Sequence, residues 1–151
     1  MNIDIKSKDG VVLFSHYVQN NTIKITVEAA KEAYVSLCNA DLSNRNLADL
    51  DADNMNISYA DFTGTYLVGV DFTGAYLVGA NFAGANMACA KLYRANLSRA
   101  NLTNANIADA CLYETILTDV NFTNTNLTGS NLSGSRSALD ALIAGIACVL
   151  E

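Results

Sequence analysis

The feature that most constrains this chain is a five-residue repeat that keeps its phase from Val35 to Gly134. The position that recurs every fifth residue from Leu37 to Leu132 holds a large apolar side chain in nineteen of its twenty occurrences, and Ala52 is the exception. An α-helix face recurs every 3.6 residues and a strand face every 2, so neither element explains a period of five. The repeat therefore predicts that every unit turns the chain once, as in a stacked solenoid.

Each unit also carries a small residue two positions before the large one, and this residue is alanine without a break from Ala75 to Ala110. If four units make one square coil, every residue lies over its equivalent 20 positions later, at a spacing of about 4.8 Å. Residues 35–134 then form about five coils and a solid rod roughly 24 Å long. We expect the core of the rod to be stacked from Leu37, Leu42, Phe62, Phe72, Phe82, Leu102 and Phe122.

The units A-N-L-S-R, A-N-L-T-N, A-D-F-T-G and A-N-F-A-G resemble the pentapeptide-repeat family. The resemblance covers about two thirds of the chain. It implies an all-β solenoid, a right-handed quadrilateral parallel β-helix in which the central Leu or Phe and the small residue two before it point inward. The other positions of each unit point outward, so any function has to lie there.

Residues 1–34 are predicted to form a β-hairpin followed by a helix that plugs the first coil, because an uncovered coil edge would recruit other chains. Asp9 and Gly10 favour the hairpin turn, and Asn21 is suited to cap the helix. This module resembles the amino-terminal module of some bacterial and phage pentapeptide-repeat proteins. The apolar residues expected to define its strands and helix face are Ile3, Ile5, Val12, Phe14, Val18, Ile23, Val27, Ala30 and Tyr34.

Residues 135–151 are predicted to form a carboxy-terminal helix, with a capping box from Ser137 to Asp140. The helix either lies on the last coil or also pairs with its copy in a second chain. The resemblance implies the second arrangement, because related family members commonly form a two-fold dimer through a carboxy-terminal element. The candidate dimer residues are Leu139, Leu142, Ile143 and Ile146.

Several function classes find little support in the sequence. The amino end, MNIDIKSKDG, has no apolar leader segment, and no run of 18 or more apolar residues could span a membrane, so we expect a cytoplasmic protein without a membrane partner. The four cysteines have no CxxC spacing, which favours free thiols over a metal site. His16 is the single histidine and no nucleophile motif is present, so we expect no enzyme activity and no cofactor.

Glycine and asparagine recur at outward positions of the repeat. Glycine holds the last position of five successive units from Gly64 to Gly84, where we expect turns with positive φ. Asparagine recurs every 20 residues in two rows that should form amide ladders along the rod. The rows are Asn81, Asn101 and Asn121, and Asn86, Asn106 and Asn126.

An acidic cluster lies in the first two predicted coils. A 20-residue coil would place Asp71 beside Asp51 and Asp61 beside Asp41, and close carboxylates need a counter-ion or a purpose. The D-x-D-x-D run resembles the start of a calcium loop, but it lacks the required glycine and bidentate acid, so we expect no metal. The cluster consists of Asp41, Asp49, Asp51, Asp53, Asp61 and Asp71.

Large apolar residues at outward positions are the candidate partner surface. They are interpreted either as β-favouring side chains on flat faces or as a patch that binds a partner protein. One set is expected to form a stripe across a corner, and a second set to stack on another face with Cys111. The first set is Tyr66, Val68, Tyr76, Val78 and Ile116, and the second is Tyr93 and Tyr113.

The resemblance also implies an alternative function, because the family includes proteins that modulate bacterial type II topoisomerases such as DNA gyrase by imitating DNA. The repeats carry nine acidic residues against four basic ones, a net of 9 − 4 = 5 negative charges. Duplex DNA of the same length would carry on the order of 14. The pI of about 4.5 argues against direct nucleic-acid binding, although Lys91, Arg94 and Arg99 form a small basic cluster.

These observations favour a rigid, non-enzymatic module that binds one or more partner proteins whose identity the sequence does not give. The alternative is a DNA-mimicking modulator of a type II topoisomerase.

Overall fold

The computed structural model describes residues 2–17, 19 and 22–136. Their order is a β-hairpin, one α-helix and then a long solenoid. Within these ranges no helix is long and apolar enough to cross a membrane. The sequence-based predictions that fall outside the described residues concern Val18, the capping box from Ser137 to Asp140, and Leu139, Leu142, Ile143 and Ile146.

The hairpin consists of β1 (Asn2–Lys6) and β2 (Val12–Tyr17), which pair antiparallel. The chain reverses at Gly10, whose φ of +80° is a conformation that glycine adopts without strain. The N–H of Gly10 donates to the carbonyl of Ser7 at 2.9 Å. The turn therefore lies where the Asp-Gly dipeptide predicts it.

Helix α1 (Ile23–Glu32) begins one residue later than the sequence suggested. Its N-cap is Thr22, whose hydroxyl accepts from the N–H of Ile25 at 3.2 Å, so the prediction of Asn21 as the cap is wrong. A threonine hydroxyl satisfies a free N–H of the first turn as an asparagine side chain would. Thr26, Val27 and Ala30 form the buried face.

The end of α1 is a Schellman motif with an unusual residue in it. Val35 donates its N–H to Ala30 and Tyr34 donates to Lys31, both at 2.9 Å. Tyr34 has φ +55° and is 97% exposed. The prediction that Tyr34 lies on the buried face of the helix is wrong, because the helix ends at Glu32 and the chain reverses before that face recurs.

The hairpin and α1 pack against the first coil. The N–H of Asp41 donates to the carbonyl of Lys6 at 2.7 Å, which joins the hairpin to the solenoid. Ile5, Val27 and Ala30 belong to the same buried cluster as the core of the coils. This packing gives the first coil the neighbour that it would otherwise lack.

The solenoid repeats its hydrogen bonds every 20 residues. The N–H of Leu47 donates to Tyr66 at 2.8 Å and the N–H of Tyr66 donates to Arg45 at 2.9 Å, a pattern that recurs down the rod. Four five-residue units complete one coil, so the rod has four faces, which we name A to D in chain order. The paired rows are Asp41, Asp61, Asn81, Asn101 and Asn121 on face A; Asn46, Tyr66, Asn86, Asn106 and Asn126 on face B; Asp51, Asp71, Lys91, Cys111 and Asn131 on face C; and Asn56, Tyr76, Asn96, Ile116 and Arg136 on face D.

The interior is a column of apolar side chains, each buried by the coils above and below. Three phenylalanines stack within it, with ring centroids 4.8 Å apart for Phe62 and Phe82 and edge contacts from Phe72 at 5.8 and 6.1 Å. Burying one such side chain contributes roughly 1.5–3 kcal/mol. The expected core residues are all at most 3% exposed: Leu37, Leu42, Phe62, Phe72, Phe82, Leu102 and Phe122.

Hydroxyl side chains replace alanine at four of the small inward positions, and each finds a partner. Thr65 donates to the carbonyl of Leu42 at 2.8 Å and Thr115 donates to Leu92 at 2.7 Å. Thr125 and Ser130 make the same bond to a carbonyl 23 residues earlier. These bonds remove the cost of placing a polar group in the core.

Candidate functional site

The predicted apolar stripe is divided between opposite faces. Tyr66 and Tyr76 are ten residues apart, which is half of the 20-residue coil. Tyr66 and Val68 therefore lie on face B, whereas Tyr76 and Val78 lie on face D. The prediction of one stripe across a corner is wrong, because a corner separates residues five positions apart.

Ile116 shares face D with Tyr76 but does not extend its apolar surface. Asn96 pairs with both residues and lies between them in the row. Ile116 is also half-buried, whereas Tyr76 is 57% exposed. The apolar part of face D is therefore confined to the coils nearest the amino end.

Tyr59 belongs to the face D surface and was missed in the sequence. It is 54% exposed, and its ring lies over Gly79, where an added Cβ would come within 2.6 Å of the ring carbon Cε1. We name Tyr59, Tyr76 and Val78 the face D patch. The sequence does contain a signal for it. In the first two coils, the last position of each five-residue unit is glycine or asparagine, and the two exceptions are Asp49 and Tyr59.

The second predicted set comes together on face C. Tyr93 and Tyr113 stack with centroids 5.7 Å apart and planes 13° from parallel. Arg94 lies 4.7 Å from the Tyr93 ring centroid, and its Nε donates to Glu114 at 2.6 Å. This hydrogen bond lowers the pKa of Glu114, and a bond to Glu114 raises the pKa of Tyr113. The side chains of this cluster bond one another, so few of their polar groups remain for a partner protein to bind.

The acidic residues pair as the 20-residue period predicts. Asp41 pairs in parallel with Asp61, and Asp51 pairs with Asp71. The Asp41 carboxylate accepts from the backbone and hydroxyl of Ser43 at 3.1 and 2.7 Å. Each aspartate at this position thus closes a local turn with the residue two positions on.

Lysines of the chain supply the counter-ions of the cluster. Lys31 on α1 bonds both Asp51 and Asp53, and Lys91 lies 3.1 Å from Asp71. The hydrogen bond from Lys31 lowers the pKa of Asp51. For Asp71, partial burial raises the pKa, but bonds from Thr73 and Lys91 outweigh it and the net shift is downward.

Asp61 is also paired with a lysine, in this case one from the hairpin. Lys8 lies 3.1 Å from its carboxylate, and the Thr63 hydroxyl also donates to it. Partial burial opposes these bonds, yet the pKa of Asp61 is lowered. Among the residues that the structure describes, no group of three or more His, Cys, Asp or Glu side chains is placed to hold a metal ion.

Amide ladders run along faces A and B. Asn106 donates to Asn86 at 3.1 Å and Asn126 donates to Asn106 at 2.9 Å. On face A, Asn101 donates to Asn81 at 2.9 Å. Because these amides bond one another along the rod, they stiffen it more than they offer free groups to a partner.

A cleft of about 380 Å³ lies between the end of α1 and the first coil. Its apolar floor includes Val35 and Met55, and Tyr34 lies at its rim. Met55 holds a position that alanine fills in ten of the twenty units, and it is 5% exposed. The lining residues are Lys31, Glu32, Tyr34, Val35, Ser36, Asp53, Asn54, Met55 and Asn56.

The comparisons with known proteins agree on the repeats. A family model of pentapeptide repeats matches in 8 copies, within residues 36–74, 65–104, 80–119 and 100–136. No curated protein matches the chain.

Among solved structures, the chain is similar to HetL, a pentapeptide repeat protein involved in heterocyst differentiation regulation in the cyanobacterium Nostoc sp. strain PCC 7120. The identity is 31% over 67% of this chain and 50% of HetL, with a TM-score of 0.62. It is also similar to a trypsin-treated form of QnrB1, a plasmid-mediated fluoroquinolone resistance protein, with 26% identity over 65% of this chain and 47% of QnrB1 and a TM-score of 0.62. The chain thus spans about half the length of each.

A third similar structure is alr5209, a pentapeptide repeat protein from Nostoc PCC 7120. Its identity is 26% over 80% of this chain and 93% of alr5209, with a TM-score of 0.53.

Proposed function

Because the chain belongs to the pentapeptide repeat family, with the right-handed β-helix of that family, we propose that it is a rigid, non-enzymatic module that binds another protein. The observation that carries this proposal is the face D patch. Tyr59 and Tyr76 are 54% and 57% exposed on adjacent coils of one face, and the N–H of Tyr59 donates to the carbonyl of Val78 at 2.8 Å. Tyrosine is enriched where proteins bind one another.

The surroundings of the patch suit an interface. The residues around Tyr76 in neighbouring coils are uncharged, namely Asn56 and Asn96 in its own row and Ser58 and Ser98 in the row of Val78. One charged residue, Arg99, lies 20 residues after Gly79 in the row of Tyr59. An apolar centre with a polar rim is the usual composition of a protein interface. Its backbone is fixed by coil-to-coil hydrogen bonds, so binding costs little ordering of the chain.

The test is capture of a partner by the immobilised full chain at low salt and at about 1 M salt, where the Debye length is about 3 Å. We expect capture at both salt concentrations, and its loss in Tyr76→Ser. Tyr66→Ser is the matched control, because Tyr66 occupies the same repeat position on the opposite face and is also exposed. Capture that survives Tyr76→Ser, or that is lost equally in Tyr66→Ser, contradicts the proposal.

A second candidate function, DNA mimicry at a type II topoisomerase, is favoured by the similarity to QnrB1. Charge argues against it. Of the nine acidic residues of the repeats, five form ion pairs with the chain's own cations in the described residues: Asp51, Asp53, Asp61, Asp71 and Glu114. Binding to a topoisomerase that disappears as salt rises to about 1 M would favour mimicry over the tyrosine patch.

The oligomeric state completes the proposal. We propose that residues 35–134 form five coils, that residues 1–34 cap one end, and that residues 135–151 join two copies. Light scattering on the chain with and without residues 137–151 tests this. We expect a dimer that becomes a folded monomer on truncation, and a monomer in both cases would reject the dimer.

A further inference from the structure

We propose that the cleft between α1 and the first coil binds a basic side chain, arginine or lysine, in an extended segment of the partner protein. The inference rests on the proposed protein-binding function and adds the chemistry of what is bound. The cleft contains none of the three residues of the face D patch but adjoins it, since Asn56 lines the cleft and pairs with Tyr76.

The shape of the cleft suits one long side chain. Its volume of about 380 Å³ is at the small end of the range for ligand sites. Val35 and Met55 provide an apolar floor for the methylene stem of an arginine or lysine. Asn54, Asn56 and Ser36 line the walls with hydrogen-bonding groups.

The charge around the cleft favours a cation. Lys31 is its one basic lining residue, and this ammonium already bonds both Asp51 and Asp53. Glu32 also lines the cleft, is exposed, and forms no ion pair in the part of the chain that the structure describes. The lining carries two carboxylates, Glu32 and Asp53, against the one ammonium, a net of 2 − 1 = 1 negative charge, which a positively charged ligand would reduce.

Tyr34 at the rim is the second reason to expect a cation. It occupies the C′ position of the Schellman motif with φ +55°, where glycine is the usual residue. Its ring is 97% exposed, so the tyrosine adds almost no packing to the fold. An exposed aromatic face beside carboxylates is the arrangement that attracts an ammonium or guanidinium group.

The test uses a blocked five-residue peptide with one central arginine, added to the ¹⁵N-labelled full chain. We expect the backbone amide signals of residues 31–36 and 53–56 to shift with increasing peptide. The matched probe is the same peptide with citrulline in place of arginine, which has the same shape without the charge. Its binding should be about tenfold weaker.

Variants separate binding from folding. Tyr34→Gly should unfold at the same temperature as the wild type or higher, because glycine adopts positive φ without strain. It should nevertheless weaken binding of the arginine peptide by about tenfold, as should Glu32→Gln. Tyr66→Ser, on face B, is the control and should bind like the wild type.

The outcomes are distinct. Absence of shifts at residues 31–36 and 53–56, equal shifts with the citrulline peptide, or unchanged binding by Tyr34→Gly would overturn the inference. If those results occur while Tyr76→Ser still abolishes partner capture, the proposed function stands and only the cleft inference fails. If the cleft binds the arginine peptide but Tyr76→Ser captures the partner normally, the face D patch is rejected instead.

Discussion

The coil of residues 60–79 and the coil of residues 100–119 have equivalent interiors but different corners. In both coils the four large inward side chains are fully buried. They are Phe62, Leu67, Phe72 and Leu77 in the first coil, and Leu102, Ile107, Leu112 and Leu117 in the second. Small residues fill the other inward positions of both, so aromatic and aliphatic cores support the same coil.

The corner residues, which hold the last position of each five-residue unit, share one backbone conformation and differ in their side chains. The four corner residues of the first coil are glycines with φ from +63° to +70°, and those of the second are larger residues with φ of +56° or +57°. Positive φ alone therefore does not require glycine here. The corner residues are Gly64, Gly69, Gly74 and Gly79, and Asn104, Asp109, Glu114 and Asp119.

The preceding coil explains why glycine is required in the coil of residues 60–79. Side chains of residues 40–59 fold over its four glycines, so that an added Cβ would lie 2.7 Å from Asn44 Oδ1 at Gly64 and 2.5 Å from Asp49 Oδ1 at Gly69. At Gly84 the preceding corner is a glycine, and a Cβ would meet nothing within 4 Å. A preceding side chain does not always require glycine, since Glu114 and Asp119 follow Arg94 and Arg99 by 20 residues. At Gly79, however, the absence of a Cβ leaves the space that the ring of Tyr59 occupies.

The largest effect is expected from filling a covered corner. Gly79→Ala should destabilise the protein by about 2–4 kcal/mol, from the left-handed backbone and the collision with Tyr59. Gly84→Ala is the matched control, since it has nearly the same φ and open space, and should cost about 1–2 kcal/mol. Denaturant unfolding measures both, and equal losses would show that the preceding coil does not restrict the corner.

A smaller effect should be the same in both coils, because it concerns the interior. Thr65→Val and Thr115→Val each remove a hydroxyl donor from a backbone carbonyl, although the carbonyl of Leu92 keeps the N–H of Ala95 as a donor. We expect a loss of about 1–2 kcal/mol for each. Urea unfolding of the two variants checks this, and a large effect in one coil with none in the other would show that the interiors are not equivalent.

The opposite substitution, in which glycine replaces a larger corner residue, should not lower the stability of the protein. Asp119→Gly releases the left-handed strain of Asp119 but makes the unfolded chain more flexible. The two effects nearly cancel, so we expect stability between unchanged and about 1 kcal/mol higher. Asp119→Ala keeps the strain and should be less stable than Asp119→Gly. The reverse order in thermal unfolding would contradict the account of the corners.

The smallest effect is the pH dependence of the ion pairs. The folded-state pKa of Asp71 is lowered, so its contribution is present above the unfolded pKa of about 4 and is lost as the pH falls through the folded value. Asp71→Asn should therefore cost less than about 1 kcal/mol at pH 7, and this difference should shrink as the pH falls below about 4. Lys91→Gln should give a similar loss at pH 7. A difference that does not shrink in acid would mean that the carboxylate charge is not its source.

Much of this architecture could be predicted from the period alone. A repeat of five with four units per coil places Asp61 beside Asp41 and Asp71 beside Asp51, as observed. The same period separates Tyr66 from Tyr76 by half a coil, so the expected stripe across one corner does not form.

The parts that could not be predicted depend on packing outside the repeat. Lys31 and Lys8 reach the acidic residues from the helix and the hairpin, and no period relates them to those partners. The sequence predicts Tyr34 as part of α1, because the apolar spacing of the helix continues to it. No glycine or asparagine marks the end of the helix before that residue. The cleft at this junction therefore had no signal in the sequence.

The central claim is that the interior of each unit maintains the fold while the outward residues of the same unit bind the partner. Tyr76 and Leu77 are adjacent, yet Tyr76 is 57% exposed and Leu77 is fully buried. The most direct measurement is the free energy of unfolding of Tyr76→Ser and Leu77→Ala beside the wild type. The account predicts a loss below about 1 kcal/mol for Tyr76→Ser and of about 2–5 kcal/mol for Leu77→Ala. Similar losses for the two variants would contradict it, because Tyr76 would then serve the fold and not the surface.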